Sequence, residues 1–176
     1  KDGFYKGETA MRIDEAMNKN NGLITLNDLN NYQADFRQPI STNYRGNKVF
    51  TAGPPSGGGI TLLTALNILS FYDLQKFKSS SVKTYHLFSE ALRRGHNNRS
   101  SEVGDPDFYD VPVEQLLSKE RSVELAKSIW FNKASKATTI KPLSVKNERP
   151  VDIRNRPRIP VPDEDPYSVA GDGLLT

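Results

Sequence analysis

The chain has 176 residues, which is enough for one domain or for a piece of a larger one. It contains no cysteine, and this excludes disulfides, thiolate zinc sites and a cysteine nucleophile within these residues. The net charge of +3 is small and the basic residues are interspersed with acids, so the sequence predicts no nucleic-acid-binding surface. No stretch approaches the roughly 20 apolar residues of a membrane-spanning helix.

The first forty residues predict two helices. Apolar residues recur on one face across positions 8–19, and a polar stretch then ends that helix, with Gly22 expected in the left-handed conformation that follows many helices. Thr25 has an acid, Asp28, three residues later. This spacing is typical of a capping box, so we expect a short helix over positions 26–32.

A hairpin and a buried helix are predicted next. Two short strands, 40–44 and 48–51, flank a turn made of Arg45, Gly46 and Asn47. The run 60–69 is apolar on nearly all sides, which indicates a helix that is buried on most of its surface.

The connection between the second strand and this helix is the most unusual stretch of the chain. We call it the proline–glycine corner, and it consists of Pro54, Pro55, Ser56, Gly57, Gly58 and Gly59. Proline fixes φ and glycine tolerates conformations closed to other residues, so the glycines are expected to let the backbone turn tightly into the helix. Two interpretations stay open: a tight strand-to-helix turn, or a cradle of backbone amides that binds an anion. The stretch matches neither a P-loop nor the Gly-x-Ser-x-Gly nucleophile motif.

Two further helices are expected. One spans 82 to about 98, and its buried stripe is predicted to consist of Tyr85, Phe88, Ala91 and Leu92. The other starts near Ser118 and runs to 131, with these residues pointing inward: Val123, Leu125, Ala126, Ile129 and Trp130.

The charged residues and histidines of the helix predicted at 82–98, and the turn after it, offer few candidates for a catalytic or binding role. Its cations, Arg93, Arg94 and Arg99, are interpreted as solvated groups that match the helix dipole, with carboxylate recognition as the alternative. His86 and His96 lack the spacing of a local metal-ligand pair, so no metal site is predicted. The Asp105-Pro106-Asp107 stretch is typical of a turn.

The composition changes after about Lys133. Positions 141–176 hold six of the eleven prolines and many charges, with no helical or alternating period. We therefore expect two parts, a folded segment at 1–140 and an extended or disordered tail at 141–176.

Several short blocks, taken in order over roughly residues 3–133, resemble the gamma-glutamyltransferase (gamma-glutamyltranspeptidase) family. They are Phe4-Tyr5-Lys6-Gly7, Gly22 to Leu29 with Tyr32, Pro39 with Tyr44-Arg45-Gly46, Pro54 to Ile60, Leu66-Asn67-Ile68-Leu69, Glu90 to Arg94, Arg99-Ser100, and Gly104 to Phe108. The resemblance is to the C-terminal part of that family's large subunit.

This resemblance implies an α+β fold, namely the helix-rich portion of the αββα sandwich of N-terminal-nucleophile hydrolases. A precursor of this family cleaves itself, and the new N-terminal Thr of the small subunit attacks a gamma-glutamyl carbonyl, as in glutathione. The family uses no metal or organic cofactor. The implied partners are the small subunit, the upstream part of the large subunit and a gamma-glutamyl small molecule, and the implied location is extracytoplasmic: periplasmic, secreted or at the cell surface.

The chain departs from the family where the nucleophile is expected. The family has a Thr-Thr-His block soon after the last helix, whereas here Thr138 and Thr139 are followed by Ile140 and Lys141. We therefore expect the nucleophile outside this chain and assign no catalytic residue within it. The proline–glycine corner is expected to lie near the processing site.

Three alternatives remain. The chain is a non-catalytic relic or interaction module of the same fold, a poly-gamma-glutamate-processing relative, or part of a sibling amidase or acylase. In each case the buried helix at 60–69 needs more cover than the other predicted elements supply, so we expect a large apolar surface for a missing partner.

Overall fold

The computed structural model describes residues 2–34 and 36–143. They divide into two compact units, the first ending at Pro39 and the second starting at Ile40. The predicted tail lies outside the described residues from Ser144 onward, so the division at residue 140 stays a prediction. Among the described residues, no helix is both long enough and apolar enough to cross a membrane.

The first unit contains three helices: α1 (Asp2–Tyr5), α2 (Glu8–Lys19) and α3 (Leu26–Asn31). The capping box at the start of α3 is confirmed, because the Asp28 amide donates to Thr25 Oγ1 at 3.2 Å and the Thr25 amide donates to Asp28 Oδ2 at 2.8 Å. The amide of Leu26 also donates to Asp14 Oδ1 at 3.0 Å, which ties α3 to α2.

The end of α2 differs from the prediction. The left-handed residue is Asn21, with φ of 54°, and not Gly22. The Gly22 amide donates to the Met17 carbonyl at 2.7 Å. A Cβ atom on Gly22 would lie 3.1 Å from the Met17 Cα and would collide with the Met17 side chain. Glycine at this position allows a close approach to Met17 and does not adopt a positive φ.

The second unit begins with an antiparallel hairpin. Strands β1 (Ile40–Tyr44) and β2 (Asn47–Thr51) pair Ile40 with Thr51 and Tyr44 with Asn47. The two loop residues, Arg45 and Gly46, both have positive φ, 51° and 82°, which matches the twist of a two-residue hairpin turn. The predicted hairpin is confirmed.

Two long helices form the centre of this unit. Helix α4 (Gly57–Leu69) packs against α5 (Val82–Glu102). Ile60, Leu63 and Ile68 are 0% exposed, as expected for a helix that is apolar on most sides. The two backbones approach closely at Gly95, where a Cβ atom would lie 2.5 Å from the Thr61 carbonyl oxygen.

Shorter elements close the core. Helices α6 (Val113–Leu116) and α7 (Lys119–Lys127) follow α5, and one-turn 3₁₀ helices lie at Leu74–Lys76 and Ala137–Thr139. The hydroxyl of Ser118 caps α7 by accepting from the Arg121 amide at 3.1 Å. The main apolar cluster combines α4, α5 and α7 with the segment after α7, and consists of Ala65, Ile68, Leu69, Leu87, Ala91, Leu125, Ala126, Ile129 and Ile140.

The predicted buried stripe of α5 is wrong for three of its four residues. Tyr85, Phe88 and Leu92 are 63%, 40% and 43% exposed. Trp130, expected to point inward, is 61% exposed. The physical reason is that α4 and α7 cover a different face of α5, whose buried residues are Leu87, Glu90, Ala91, Arg94, Gly95, Asn98 and Glu102.

Candidate functional site

The proline–glycine corner joins β2 to α4 within the second unit. Pro54 is buried, whereas Pro55 and Ser56 are exposed. The amide of Ser56 donates to the Gly53 carbonyl at 3.1 Å and closes the turn. Helix α4 begins at the next residue, Gly57, and the Ser56 hydroxyl makes no capping hydrogen bond.

The glycines of the corner do not turn the chain as expected. All three lie in the first turn of α4, and none has a positive φ. Gly59 is required by packing, because a Cβ atom there would clash with the Ala52 carbonyl oxygen and lie 2.8 Å from Thr51 Cγ2. Gly58 has open space around it. The helix therefore starts three residues earlier than its apolar run.

A surface cavity of about 400 Å³ lies beside the corner and is lined by Pro55, Gly57, Arg99, Ser100 and Val103. The Arg99 side chain covers Gly57, where a Cβ atom would lie 2.5 Å from Arg99 Nε. Amides in a first helical turn lack intrahelical acceptors, and both they and a guanidinium favour a negative charge. This geometry is compatible with anion binding and with a purely structural turn, so both interpretations of the corner remain predictions.

Arg94 is a buried structural residue, and the expectation that it is solvated is wrong. The residue is 1% exposed. Its Nε donates to the Leu125 carbonyl at 2.9 Å and to Ser128 Oγ at 2.8 Å. Nη1 donates to Glu90 Oε2 at 2.6 Å, and Nη2 donates to the Ser128 carbonyl at 2.8 Å and to Ser135 Oγ at 3.2 Å. The guanidinium thus joins α5 to the end of α7 and to the segment beyond it.

The partner of this arginine, Glu90, is equally buried. Its Oε1 accepts from the Ser135 amide at 3.0 Å. Burial raises the pKa of Glu90, but hydrogen bonds from Ser135 and Arg94 outweigh this effect and hold the pKa below its usual value. The carboxylate therefore stays ionised at neutral pH, and the pair fixes the course of the chain after α7.

A second buried arginine lies nearer the end of α5. Arg121 is 3% exposed, and its Nη2 donates to Asn98 Oδ1 at 2.9 Å and to the Lys141 carbonyl at 2.7 Å. Its Nη1 donates to Glu124 Oε2 at 2.9 Å. This network holds the chain as it leaves the core after Ile140.

The two histidines and the turn at positions 105–107, the other candidates for chemistry, have structural roles or lie on the surface. His86 Nε2 lies 2.8 Å from the Trp130 carbonyl oxygen, a hydrogen bond in which the ring N–H donates. His96 is exposed. Within residues 2–34 and 36–143, no group of three or more metal-ligating side chains comes together. The Asp105 carboxylate accepts from the Asp107 amide at 3.0 Å, which confirms the predicted turn.

Sequence reasoning missed the polar network on the inner face of α5. One signal was present, because a glycine inside a helix costs about 1 kcal/mol and usually marks a close contact. Gly95 lies on the same face as Ala91, Arg94 and Asn98. A face centred on this glycine would have identified the arginine as buried.

Comparisons with known proteins agree on one family. The sequence profile of the family described as gamma-glutamyltranspeptidase matches residues 1–158. The glutathione hydrolase proenzyme of Escherichia coli (strain K12) is 42% identical over 141 residues, which cover 80% of this chain and 24% of that proenzyme.

Two solved structures extend the comparison. The crystal structure of Helicobacter pylori gamma-glutamyltranspeptidase superposes with a TM-score of 0.73 at 34% identity, over 84% of this chain and 43% of that chain. Cephalosporin acylase from Bacillus halodurans superposes with a TM-score of 0.64 at 35% identity, over 73% of this chain and 24% of that chain.

The helix-rich α+β architecture, with its single described hairpin, is thus a portion of the N-terminal-nucleophile hydrolase fold, as the resemblance predicted. The chain belongs to the gamma-glutamyltranspeptidase family. It spans about a quarter of the length of the curated relatives it matches.

Proposed function

We propose that this chain is the C-terminal part of the large subunit of a gamma-glutamyltransferase or hydrolase. Such an enzyme moves the gamma-glutamyl group of glutathione or a related compound to water, an amino acid or a peptide. The observation that carries the proposal is the family match over residues 1–158, together with a coverage of only 24% of the E. coli proenzyme. The nucleophilic Thr then belongs to a small subunit outside this chain.

The role of the chain in this proposal is to build the frame around the reaction centre. The close contact of α4 with α5 at Gly95, and the hydrogen bonds of the two buried arginines, hold the elements of that frame together. The corner, from Pro54 to Gly59, is proposed to lie near the processing junction. Its support is the family resemblance of these residues and their position at the start of the most buried helix.

The proposed partners are the upstream part of the large subunit, the small subunit and a gamma-glutamyl small molecule. Support comes from the large apolar side chains that the described residues expose, including Leu23 at 84%, Phe50 at 60% and Tyr85 at 63%. A contiguous exposed apolar patch is typical of an interface, and Tyr85, Phe88 and Leu92 lie at helical spacing on one face of α5. An extracytoplasmic location is proposed from the family resemblance alone.

The test uses the E. coli proenzyme, in which the matching 141 residues are replaced by those of this chain. We expect the chimera to process itself and to release the chromophore from a gamma-glutamyl anilide, whereas the isolated chain releases none. Unmodified proenzyme is the positive control. Release by the isolated chain would contradict a nucleophile located elsewhere. A folded chimera that neither processes nor hydrolyses would instead favour a non-catalytic relic.

A sibling acylase is the second candidate, and the similarity to the Bacillus halodurans cephalosporin acylase favours it. Relatives of both kinds match this chain. The test uses the full precursor that contains this chain, expressed from its own gene. Faster hydrolysis of a cephalosporin side-chain amide than of the gamma-glutamyl anilide would assign the acylase activity.

A further inference from the structure

A groove beside α6 and α7 has no role in the proposed frame. Its volume is about 490 Å³, and its lining residues are Glu114, Gln115, Ser118, Glu120, Arg121, Glu124 and Leu143. Three of these residues are acids and one is a cation. The groove is therefore an acidic surface with an apolar residue, Leu143, at one side.

The chain itself leads into this groove. Ile140 is 6% exposed within the core, and the next carbonyl, that of Lys141, accepts from Arg121 Nη2 at 2.7 Å. Two residues later Leu143, the last described residue, lines the groove. The buried guanidinium thus fixes the point at which the following residues start.

The same arginine leaves one donor unused. Arg121 is 3% exposed, and its Nη1 and Nη2 have partners. Its Nε has no hydrogen-bond partner among the described residues, although the side chain lines the groove. A buried donor without an acceptor is costly, so the other two nitrogens of Arg121 and their partners hold the side chain in place.

The sequence after Leu143 has the complementary charge. Positions 144–158 carry five cations and two acids, a net charge of +3: Lys146, Arg149, Arg154, Arg156 and Arg158 against Glu148 and Asp152. Positions 159–176 carry four acids and no cation. Only the segment next to the groove is basic.

We propose that the basic segment 144–158 of this chain binds in the acidic groove. Its cations pair with Glu114 and Glu120, while Glu124 stays with Arg121. Attachment at Leu143 makes the binding intramolecular and raises the effective concentration of the segment. This inference does not depend on the proposed enzyme activity.

Disulfide trapping tests the proposal, because the natural chain contains no cysteine. The full-length chain receives Gln115→Cys in the groove and Asn155→Cys in the basic segment. We expect an intramolecular disulfide under mild oxidation, formed at least about fivefold more slowly in 1 M NaCl, because salt screens exposed charges. A rate unaffected by salt would overturn the proposal. A disulfide-linked dimer would do so too, since it would assign the groove to a second copy.

A matched pair of charge reversals sharpens this test in the same double-cysteine background. Glu120→Lys lies in the groove and Glu15→Lys lies on α2, and both side chains are exposed. We expect Glu120→Lys to slow disulfide formation about fivefold and Glu15→Lys to leave it unchanged. Equal rates for the two variants would overturn the proposal. Thermal melting of each variant confirms that it is folded, and Glu114→Lys replaces Glu120→Lys if that variant does not fold.

Discussion

The two faces of α5 do not divide into an apolar inner face and a polar outer face. The face against α4 and α7 buries Glu90, Arg94 and Asn98, each at most 1% exposed. The outer face exposes Tyr85 and Leu92 at 63% and 43%. Periodicity therefore predicted the helix correctly but not the face that becomes its inside, because packing partners decide that face.

The two faces have different physical consequences. A buried, fully hydrogen-bonded ion pair contributes little net stability but is costly to break. It also fixes geometry, here the course of the chain after α7. Exposed apolar side chains in one stripe instead indicate an interface. That interpretation agrees with a chain that spans only 24% of a related proenzyme.

The largest expected effect comes from breaking the inner ion pair. Replacement of Arg94 by Met removes the buried cation that pairs with the Glu90 carboxylate, so we expect a loss of about 3–5 kcal/mol of unfolding free energy. Urea denaturation followed by circular dichroism measures it. The double variant Arg94→Met/Glu90→Gln should recover part of this loss.

Arg93 provides the matched control, since it lies next in sequence and contacts the same carboxylate at 3.4 Å. Its side chain is 39% exposed, so Arg93→Ala should cost less than about 1 kcal/mol. Equal losses for Arg93→Ala and Arg94→Met would contradict the assignment of Arg94 as the buried partner.

The close approach of α4 and α5 gives the next effect. Gly95→Ala places a Cβ atom 2.5 Å from the Thr61 carbonyl oxygen, so the helices must separate, and we expect a cost of about 1–3 kcal/mol. Gly58→Ala, in the open first turn of α4, should instead be neutral or stabilise by up to about 1 kcal/mol. Thermal melting of the two variants measures both effects. A large decrease in melting temperature for both variants would contradict the close contact at Gly95.

A smaller effect is expected from pH. The pKa of Glu90 in the folded chain lies below its unfolded value of 4.5, because hydrogen bonds from Ser135 and Arg94 outweigh the effect of burial. The folded state therefore binds this proton less tightly, and the resulting stabilisation is complete above the unfolded pKa and is lost as pH falls through the folded pKa. The stability difference between the natural chain and Glu90→Gln should shrink between pH 6 and pH 3. A constant difference would show that Glu90 is not the titrating group.

The sequence predicted those features whose determinants are close together along the chain, and it did not predict those that depend on distant residues. The hairpin and the capping box of Thr25 and Asp28 were predicted because their signals are local turn and cap chemistry. The burial of Arg94 was not, because its partners Leu125, Ser128 and Ser135 lie more than thirty residues away along the chain. The start of α4 was missed for a related reason, since Gly59 is required by packing against Thr51 and Ala52, and none of the three glycines turns the chain.

The corner shows the same limit for the candidate site. Its residues identified the family resemblance, and the family is now established. Its proposed role near a processing junction concerns contacts with residues distant along a polypeptide, and a local sequence pattern does not encode such contacts. Local chemistry predicts an element, whereas a functional role depends on what packs against that element.

The smallest effect on stability is expected from replacing the exposed apolar residues on the outer face of α5. These variants also test most directly whether that face is free. The triple variant Tyr85→Ser/Phe88→Ser/Leu92→Ser should lose no more than about 1.5 kcal/mol, because exposed side chains contribute little to folding. Leu87→Ala, on the same helix but 0% exposed, should cost about 2–5 kcal/mol. The triple variant should also bind less of a hydrophobic dye than the natural chain. A loss as large as that of Leu87→Ala would mean that the stripe packs within this chain, and α5 would then have no free apolar face for a partner subunit.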